Sequence, residues 1–251
     1  MAHSTGAAQT TAGHPKVKNG KGRLSDNVRQ GLAQRWSQVG IELTHHLPYT
    51  IVGTLIAMAG VWWFGTQQLG QSTTADLQAR CRVLFHLFHS LHICLSAIGT
   101  TALFWRRTRR IGHAVLAGTL GTMMPCALSD YIIPYTGGRF LGQTMDFHIC
   151  IINHPQLFFS FMFLGIISGL WAEEKLATSQ FFSHGVHVFV SSTSSLLYLM
   201  SFGFMAWISD VRYVLPAFII IVIAVWLPCC ISDIVVPVST IGHEHDGHSH
   251  G

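Results

Sequence analysis

The sequence predicts an all-α integral membrane protein with six transmembrane helices, arranged as two inverted three-helix repeats. Three observations lead to this fold class: a composition poor in charge, six long apolar stretches, and one motif that occurs twice. Only 10% of the 251 residues are charged, whereas 49% are apolar. Soluble domains carry about 25% charged residues, so this chain cannot cover a water-facing surface of ordinary composition. We therefore expect the lipid bilayer to be its main partner.

The predicted spans follow from length and apolarity. A helix needs about 20 mainly apolar residues to cross the hydrocarbon core of a bilayer. Six stretches meet this requirement, at residues 46–65, 83–105, 113–135, 148–171, 184–207 and 212–237.

Charge placement predicts the orientation of these spans. Lys and Arg residues are concentrated in residues 1–40 and 106–110, and cytoplasmic segments carry an excess of both. Residues 1–40 are too polar to form a core, so we expect a disordered, basic cytoplasmic segment. An even number of spans returns residues 239–251 to the same side. The basic residues that give the net charge of +4 lie beside apolar runs, so the charge does not indicate nucleic-acid binding. The expected location is a prokaryotic inner (plasma) membrane.

The repeat is the most specific signal. Residues 125–134 and 228–237 both follow the pattern P-C-x-[LI]-S-D-x-[IV]-[IV]-P. We therefore expect one three-helix unit at residues 41–147 and a second at 148–238. Because three is odd, the second copy enters the bilayer from the opposite face, as in many secondary transporters. Duplication of a stable helical unit without a transport role is the alternative.

Two aspartates lie within the repeated motif. Asp130 and Asp233 fall inside predicted spans, where ionisable residues are costly and usually functional. We predict that they carry protons or bind a transported cation. Alternatively, with Ser129 and Ser232, they satisfy backbone groups released by the preceding prolines.

Sixteen histidines exceed the eleven acidic residues, and several recur at helical spacing. Residues three apart are neighbours on a helix, and imidazole binds metals and titrates near neutral pH. These histidines are predicted to bind a metal or to carry protons; they are His86, His89 and His92 in the first repeat and His184 and His187 in the second. The span-end histidines His45, His46 and His154 are weaker candidates, and His113 and His148 are weaker still.

Two further groups are candidate metal ligands. Cys126 and Cys229 follow the repeated prolines, and thiols either bind soft metals or pack where helices approach closely. The C-terminal tail has a composition typical of metal binding, and the alternative is a plain hydrophilic tail. Its candidate ligands are His243, His245, His248 and His250. The expected cofactor or cargo is a zinc, manganese, iron, nickel or copper ion.

Four segments also support a family resemblance. The motifs HHLPYTIVGTLIAMAG, FHLFHSLHICLSAIGTTALFWR, LSDYIIPYTGG and WLPCCISDIVVPV resemble those of a poorly characterised family of small six-helix prokaryotic membrane proteins, over about residues 41–238. More distantly, HSLHICLSA followed by AGTLGTMMPCALSD is similar to permeases identified as manganese or heavy-metal exporters. This resemblance implies metal transport and points to His89, His92, Pro125 and Asp130 with their second-repeat counterparts.

The leading functional hypothesis is a transition-metal cation transporter or permease module, coupled to protons through Asp and His groups. The alternatives are a membrane metal- or haem-binding redox subunit and a structural subunit of a larger membrane complex. A homo-oligomer or a membrane-complex partner is compatible with each. The sequence has no nucleotide-binding loop or hydrolase elbow in a suitable context, so we do not expect this chain to hydrolyse ATP, and we favour a transporter over an enzyme.

Overall fold

The structure, a computed structural model, describes residues 20–171 and 180–230, with side chains at 44, 46–171 and 185–228. By its internal contacts the chain divides into residues 1–40 and 41–251. In the first unit, residues 20–40 are helical. The described part of the chain is helical and contains no strand, so the all-α class is confirmed.

The described residues contain nine α-helices and one π-helical turn. In chain order they are α1 (Gly20–Leu69), α2 (Thr74–Thr108), α3 (Ile111–Ala127), the π turn (Leu128–Ile132), α4 (Ile133–Phe140), α5 (Cys150–Asn153), α6 (Pro155–Trp171), α7 (Gln180–Ser201), α8 (Ala206–Ser209) and α9 (Val211–Cys230).

Four helical stretches are long and apolar enough to cross a membrane. They correspond to the first three predicted spans and the last one, and they run over His46–Leu69, Thr74–Thr108, Ile111–Phe140 and Val211–Pro228. The apolar helix α6 has only 17 residues, which is shorter than a typical span. The six-span count, the inverted repeat, the repeat boundaries and the orientation therefore stay predictions.

The predicted span at 148–171 is interrupted in the structure. Residues 143–149 are not helical, α5 has only four residues, and α6 begins at Pro155. Proline has no N–H group and disfavours helical geometry in the residue before it. The helix therefore breaks at His154, whose φ and ψ are −137° and 57°.

Helix α2 is the centre of the described bundle and packs against α3, α6 and α7. It begins with a capping box, in which Thr73 and Asp76 each satisfy the backbone N–H of the other, a common device for starting a helix. Its contact with α6 is close: a Cβ atom added to Gly165 would lie 2.7 Å from the Ala97 Cβ. Small residues permit this approach between membrane helices.

Large apolar side chains project outward from several helices. Trp63 is 64% exposed, Val83 70% and Met124 69%, and α6 and α9 contribute further exposed apolar residues such as Phe163 and Leu215. Soluble monomers rarely expose apolar surface this extensively. These faces are suited to contact with lipid.

Candidate metal centre

Asp130 lies in the π turn between α3 and α4, five residues after the motif proline. Pro125 is inside α3, and the π turn begins at Leu128. Such turns occur frequently at functional sites, because they interrupt the regular helical hydrogen bonds. The side chain of Asp130 is fully buried, at 0% exposure.

The Asp130 carboxylate accepts hydrogen bonds from four neighbouring side chains. His89 Nδ1 lies 2.7 Å from Oδ2, and His92 Nδ1 lies 2.9 Å from both oxygens. The hydroxyl groups of Ser129 and Ser194 donate at 2.7 and 3.0 Å. An ionised carboxylate has only acceptors, so both imidazoles donate from Nδ1. In the neutral form of each ring, Nε2 is then the acceptor nitrogen.

Helix α7 supplies the serines that complete this polar surface. The Ser191 hydroxyl lies 3.4 Å from Asp130 Oδ1. The Ser195 hydroxyl lies 2.9 Å from the backbone oxygen of Ser129 and 2.8 Å from that of Ser191. Both of these serines are fully buried. The serines therefore hold the π turn and its carboxylate against α7.

The outer nitrogens of the two imidazoles point to different surroundings. His92 Nε2 lies 3.1 Å from His187 Nε2 and 3.9 Å from Cys126 Sγ. The His89 ring is 2% exposed and stacks on Phe85 at 5.4 Å between centroids. Its Nε2 atom is buried and has no hydrogen-bond partner within the described structure.

A second histidine group lies beside this buried cluster. One ring nitrogen each from His86, His148 and His154 falls within 4.8 Å of the other two. The Nε2 atoms of His86 and His148 are 3.2 Å apart. His154 is exposed, whereas the other two are half-buried. The group therefore reaches the protein surface.

His148 is held in place from several directions. Its backbone N–H donates to the Tyr198 hydroxyl at 3.2 Å, and its ring stacks on Phe202 with centroids 4.8 Å apart. The Asn153 amide lies 2.9 Å from its Nδ1 atom. The loop that carries His148 is fixed in turn by a backbone hydrogen bond from Asp146 to Phe202.

His148 lies in the loop between α4 and α5, outside the four candidate spans. Burial lowers its pKa to about 4, and the positively charged forms of His154 and Arg82 act in the same direction. The imidazole is therefore neutral at pH 7. A neutral imidazole has the lone pair that metal binding requires.

The structure brings together most of the predicted site residues that it describes. His89, His92, Cys126 and Asp130 form the buried cluster, which the half-buried His187 joins through His92, and His86 lies in the surface group instead. The remaining predictions fall outside the described side chains and stay predictions: His184, Cys229, Asp233, His243, His245, His248 and His250.

Sequence reasoning did not select two groups of residues that the site uses. His148 and His154 were placed at a span end, although the Asn153-His154-Pro155 sequence already indicated a break in the helix. Ser191 and Ser194 lie inside the predicted span at 184–207 and are not among the predicted site residues. The signal in the sequence is the hydroxyl-bearing run Ser-Ser-Thr-Ser-Ser at residues 191–195, which stands inside an otherwise apolar stretch.

Comparisons with protein-family models, with curated proteins and with solved structures find no match. The resemblance to metal-exporting permeases therefore stays a prediction. In the structure, apolar helices hold buried histidines and an aspartate beside a three-histidine group. Such an arrangement is suited to binding a metal ion in a membrane.

Proposed function

We propose that the protein transports a divalent transition-metal cation across the membrane and that His86, His148 and His154 receive this cation. The observation that carries the proposal is the meeting of three imidazole nitrogens within 4.8 Å at the protein surface. Imidazole is a common ligand for zinc, nickel and copper ions. A site with three protein ligands leaves a coordination position open, so a cation can be released as well as bound.

The position of His86 on α2 supports transport over simple storage of a metal. His86, His89 and His92 are spaced three residues apart, so each step advances about 4.5 Å along the helix. The first histidine belongs to the surface group, and the next two belong to the buried cluster. Polar groups buried among membrane helices commonly mark ion pathways.

Coupling to protons follows from the same chemistry. Histidine and cysteine ligands must be deprotonated before they bind a metal, so binding releases protons and release takes them up. The predicted second repeat, with His184 and Asp233, would provide the corresponding groups toward the other face. An inverted repeat of this kind is typical of transporters that alternate between two open states.

The test is metal uptake by proteoliposomes that contain the full-length protein. We expect accumulation of zinc or cobalt that depends on an imposed pH gradient. His154→Ala should lower the rate at limiting metal by at least tenfold, because it removes one of three ligands. His113→Ala, at an exposed position on α3, is the matched control and should transport normally.

Two results of this uptake assay would contradict the proposal. Absence of flux for zinc, cobalt, nickel and copper, with and without a pH gradient, would refute the transport proposal. Normal flux in the His154→Ala variant would show that the surface group does not receive the cargo.

A further inference from the structure

We infer that the buried cluster holds an exchangeable proton, carried on His92 with Asp130 as its counter-charge and exchanged with water through His187. The inference rests on the proposed function and deepens it, because it gives the coupling proton a site of its own. Metal and proton then occupy separate positions on α2: the metal binds at the surface group that contains His86, and the proton binds at His92.

The buried cluster does not bring three ligand atoms onto one ion. Within the described residues, candidate ligand atoms of three residues come within 4.8 Å of one another only in the surface group. His92 Nε2 lies 3.1 Å from His187 Nε2 and 3.9 Å from Cys126 Sγ, but these three atoms do not converge as the surface group does. The buried imidazoles therefore have a role other than metal coordination.

The charge balance of the cluster requires a proton beyond those of neutral imidazoles. Asp130 is fully buried and accepts hydrogen bonds from four side chains, which is the environment of an ionised carboxylate. A buried charge is costly unless it is paired. Within the described residues, the ion-pair partners of Asp130 are His89 and His92. One of these two imidazoles must therefore carry a second proton for the cluster to be neutral.

The hydrogen bonds assign this second proton to His92. Both rings already donate from Nδ1 to Asp130, so the additional proton would lie on Nε2. His89 Nε2 is buried and has no hydrogen-bond partner within the described structure, and a buried donor without an acceptor is costly. His92 Nε2 lies 3.1 Å from the Nε2 atom of His187, which accepts a hydrogen bond when that ring carries its own proton on Nδ1.

The hydrogen bond between His92 and His187 is the route of exchange. The N–H bond at His92 Nε2 breaks, an N–H bond forms at His187 Nε2, and the positive charge moves to His187. His187 then loses its Nδ1 proton to water, and uptake follows the same steps in reverse. His92 is 1% exposed, whereas His187 is half-buried. Exchange with water therefore takes place at His187.

Asp130 is the only carboxylate that contacts this histidine pair within the described structure. Helix α6 packs on α2 and has no titratable residue. The other titratable groups on the described elements packed around the pair are Cys126 on α3, Tyr131 in the π turn, Tyr135 and Arg139 on α4, Arg212 and Tyr213 on α9, and His46 and Tyr49 on α1. None of these is a carboxylate, so the counter-charge of His92 comes from Asp130.

The Phe85 ring separates the proton site from the metal site. This ring is fully buried, and its centroid lies 5.4 Å from that of His89 and 6.3 Å from that of His148. Aromatic carbon provides no hydrogen bond along which a proton could pass to the surface group. The charge of a metal still acts across the ring, because Coulomb interactions are strong where the dielectric constant is low. A divalent cation at the surface group therefore drives the proton from His92 toward His187.

The experiment measures proton release when zinc binds to the full-length protein in detergent. The tail histidines are replaced by Ser to remove their contribution; they are His243, His245, His248 and His250. A pH-indicator dye follows the release in weak buffer at about pH 8, where ordinary imidazoles are neutral. We expect about one proton per bound zinc ion from the buried cluster, in addition to any from water on the metal.

Two variants separate the proton carrier from the exit. His92→Gln removes the carrier, so the amount released should fall by about one proton per zinc ion. His187→Gln leaves the carrier in place, so the amount should be unchanged and the release about a hundredfold slower, as for loss of a positioned proton-transfer group. His113→Gln, at an exposed position on α3, is the matched control and should match the wild type in amount and rate. A merely structural role would not separate amount from rate.

Infrared difference spectra identify the group that gives up the proton. With isotopically labelled histidine, zinc binding should remove imidazolium bands in the wild type and leave them unchanged in His92→Gln. No carboxylic acid band should change, because Asp130 stays ionised throughout. A carboxylic acid band that disappears when zinc binds would make Asp130 the carrier and overturn the assignment to His92.

The remaining outcomes separate this inference from the proposed function. Zinc binding with the same amount and rate of proton release in His92→Gln, His187→Gln and the wild type would place the source at the metal. That result would overturn the proton site and leave the transport proposal standing. Absence of zinc binding to the wild type would refute both. The visible spectrum of bound cobalt should be the same in all variants, which shows that the surface group is intact in each.

Discussion

Replacing Asp130 with asparagine removes the charge around which the buried cluster is organised. Asparagine keeps one acceptor oxygen but turns the other position into a donor, so about two of the four close hydrogen bonds within 3.0 Å of the carboxylate lose their acceptor. Hydrogen bonds to a charged group contribute about 1.5–3 kcal/mol each. The expected loss of stability is therefore about 3–6 kcal/mol, larger than the loss of a helix cap.

Thermal unfolding of the detergent-purified protein measures this loss. Cys81, Cys126 and Cys150 are at most 2% exposed, so a thiol-reactive dye should report unfolding. For a chain of this size each kcal/mol shifts Tm by about 2–4 °C, and we expect Asp130→Asn to melt roughly 10–20 °C below the wild type. Asp210→Asn, which removes a partly exposed charge beside the exposed Arg212, is the control and should melt close to the wild type. An Asp130→Asn variant that melts with this control would refute the reasoning.

Three further outcomes follow from the fold and the sequence. Gly203→Ala should destabilise the protein by about 1–3 kcal/mol, because φ is +126° and the new Cβ would collide with the Thr144 carbonyl oxygen. The same melting assay measures this loss. We also expect this variant to bind cobalt more weakly at the surface group. Tyr198→Phe leaves the His148 N–H without its acceptor and should cost about 1–3 kcal/mol of stability, whereas an unchanged Tm would show that this hydrogen bond contributes nothing. Truncation after Ile241 should preserve insertion and folding and reduce metal uptake only at limiting concentration; an unchanged dose response would exclude a metal-collecting role for the tail.

The histidines of α2 illustrate how far spacing alone can predict a site. Their three-residue interval correctly indicated neighbouring positions, yet each step of three residues also rotates the side chain by about 60° around the helix. His86 and His92 therefore point about 120° apart. One meets the loop that carries His148, and the other meets His187 on α7. Which helix lies on each side depends on contacts distant in sequence, and spacing within one helix does not contain that information.

The interrupted span has a similar explanation. Hydropathy averaged over a window does not detect a break in a helix. Residues 148–171 are therefore predicted as one span. Pro155 provided the local signal for the break, but apolarity on both sides outweighed it. In the structure the break separates His148 and His154 from α6 and allows both to approach His86. The composition thus predicted the class of fold, whereas a single proline determined part of the candidate site.

The π turn gives the third span an unusual tolerance to a change in length. A π turn holds one residue more than an α turn and is equivalent to a single insertion in a regular helix. Deleting one residue within Leu128–Ile132 would therefore convert it to an α turn, while the faces of α3 and α4 keep their angular phase. The segment would still be a continuous helix with its lipid-facing side unchanged, but Asp130 would no longer meet His89 and His92. Span and site are thus encoded by separable features of the same thirty residues.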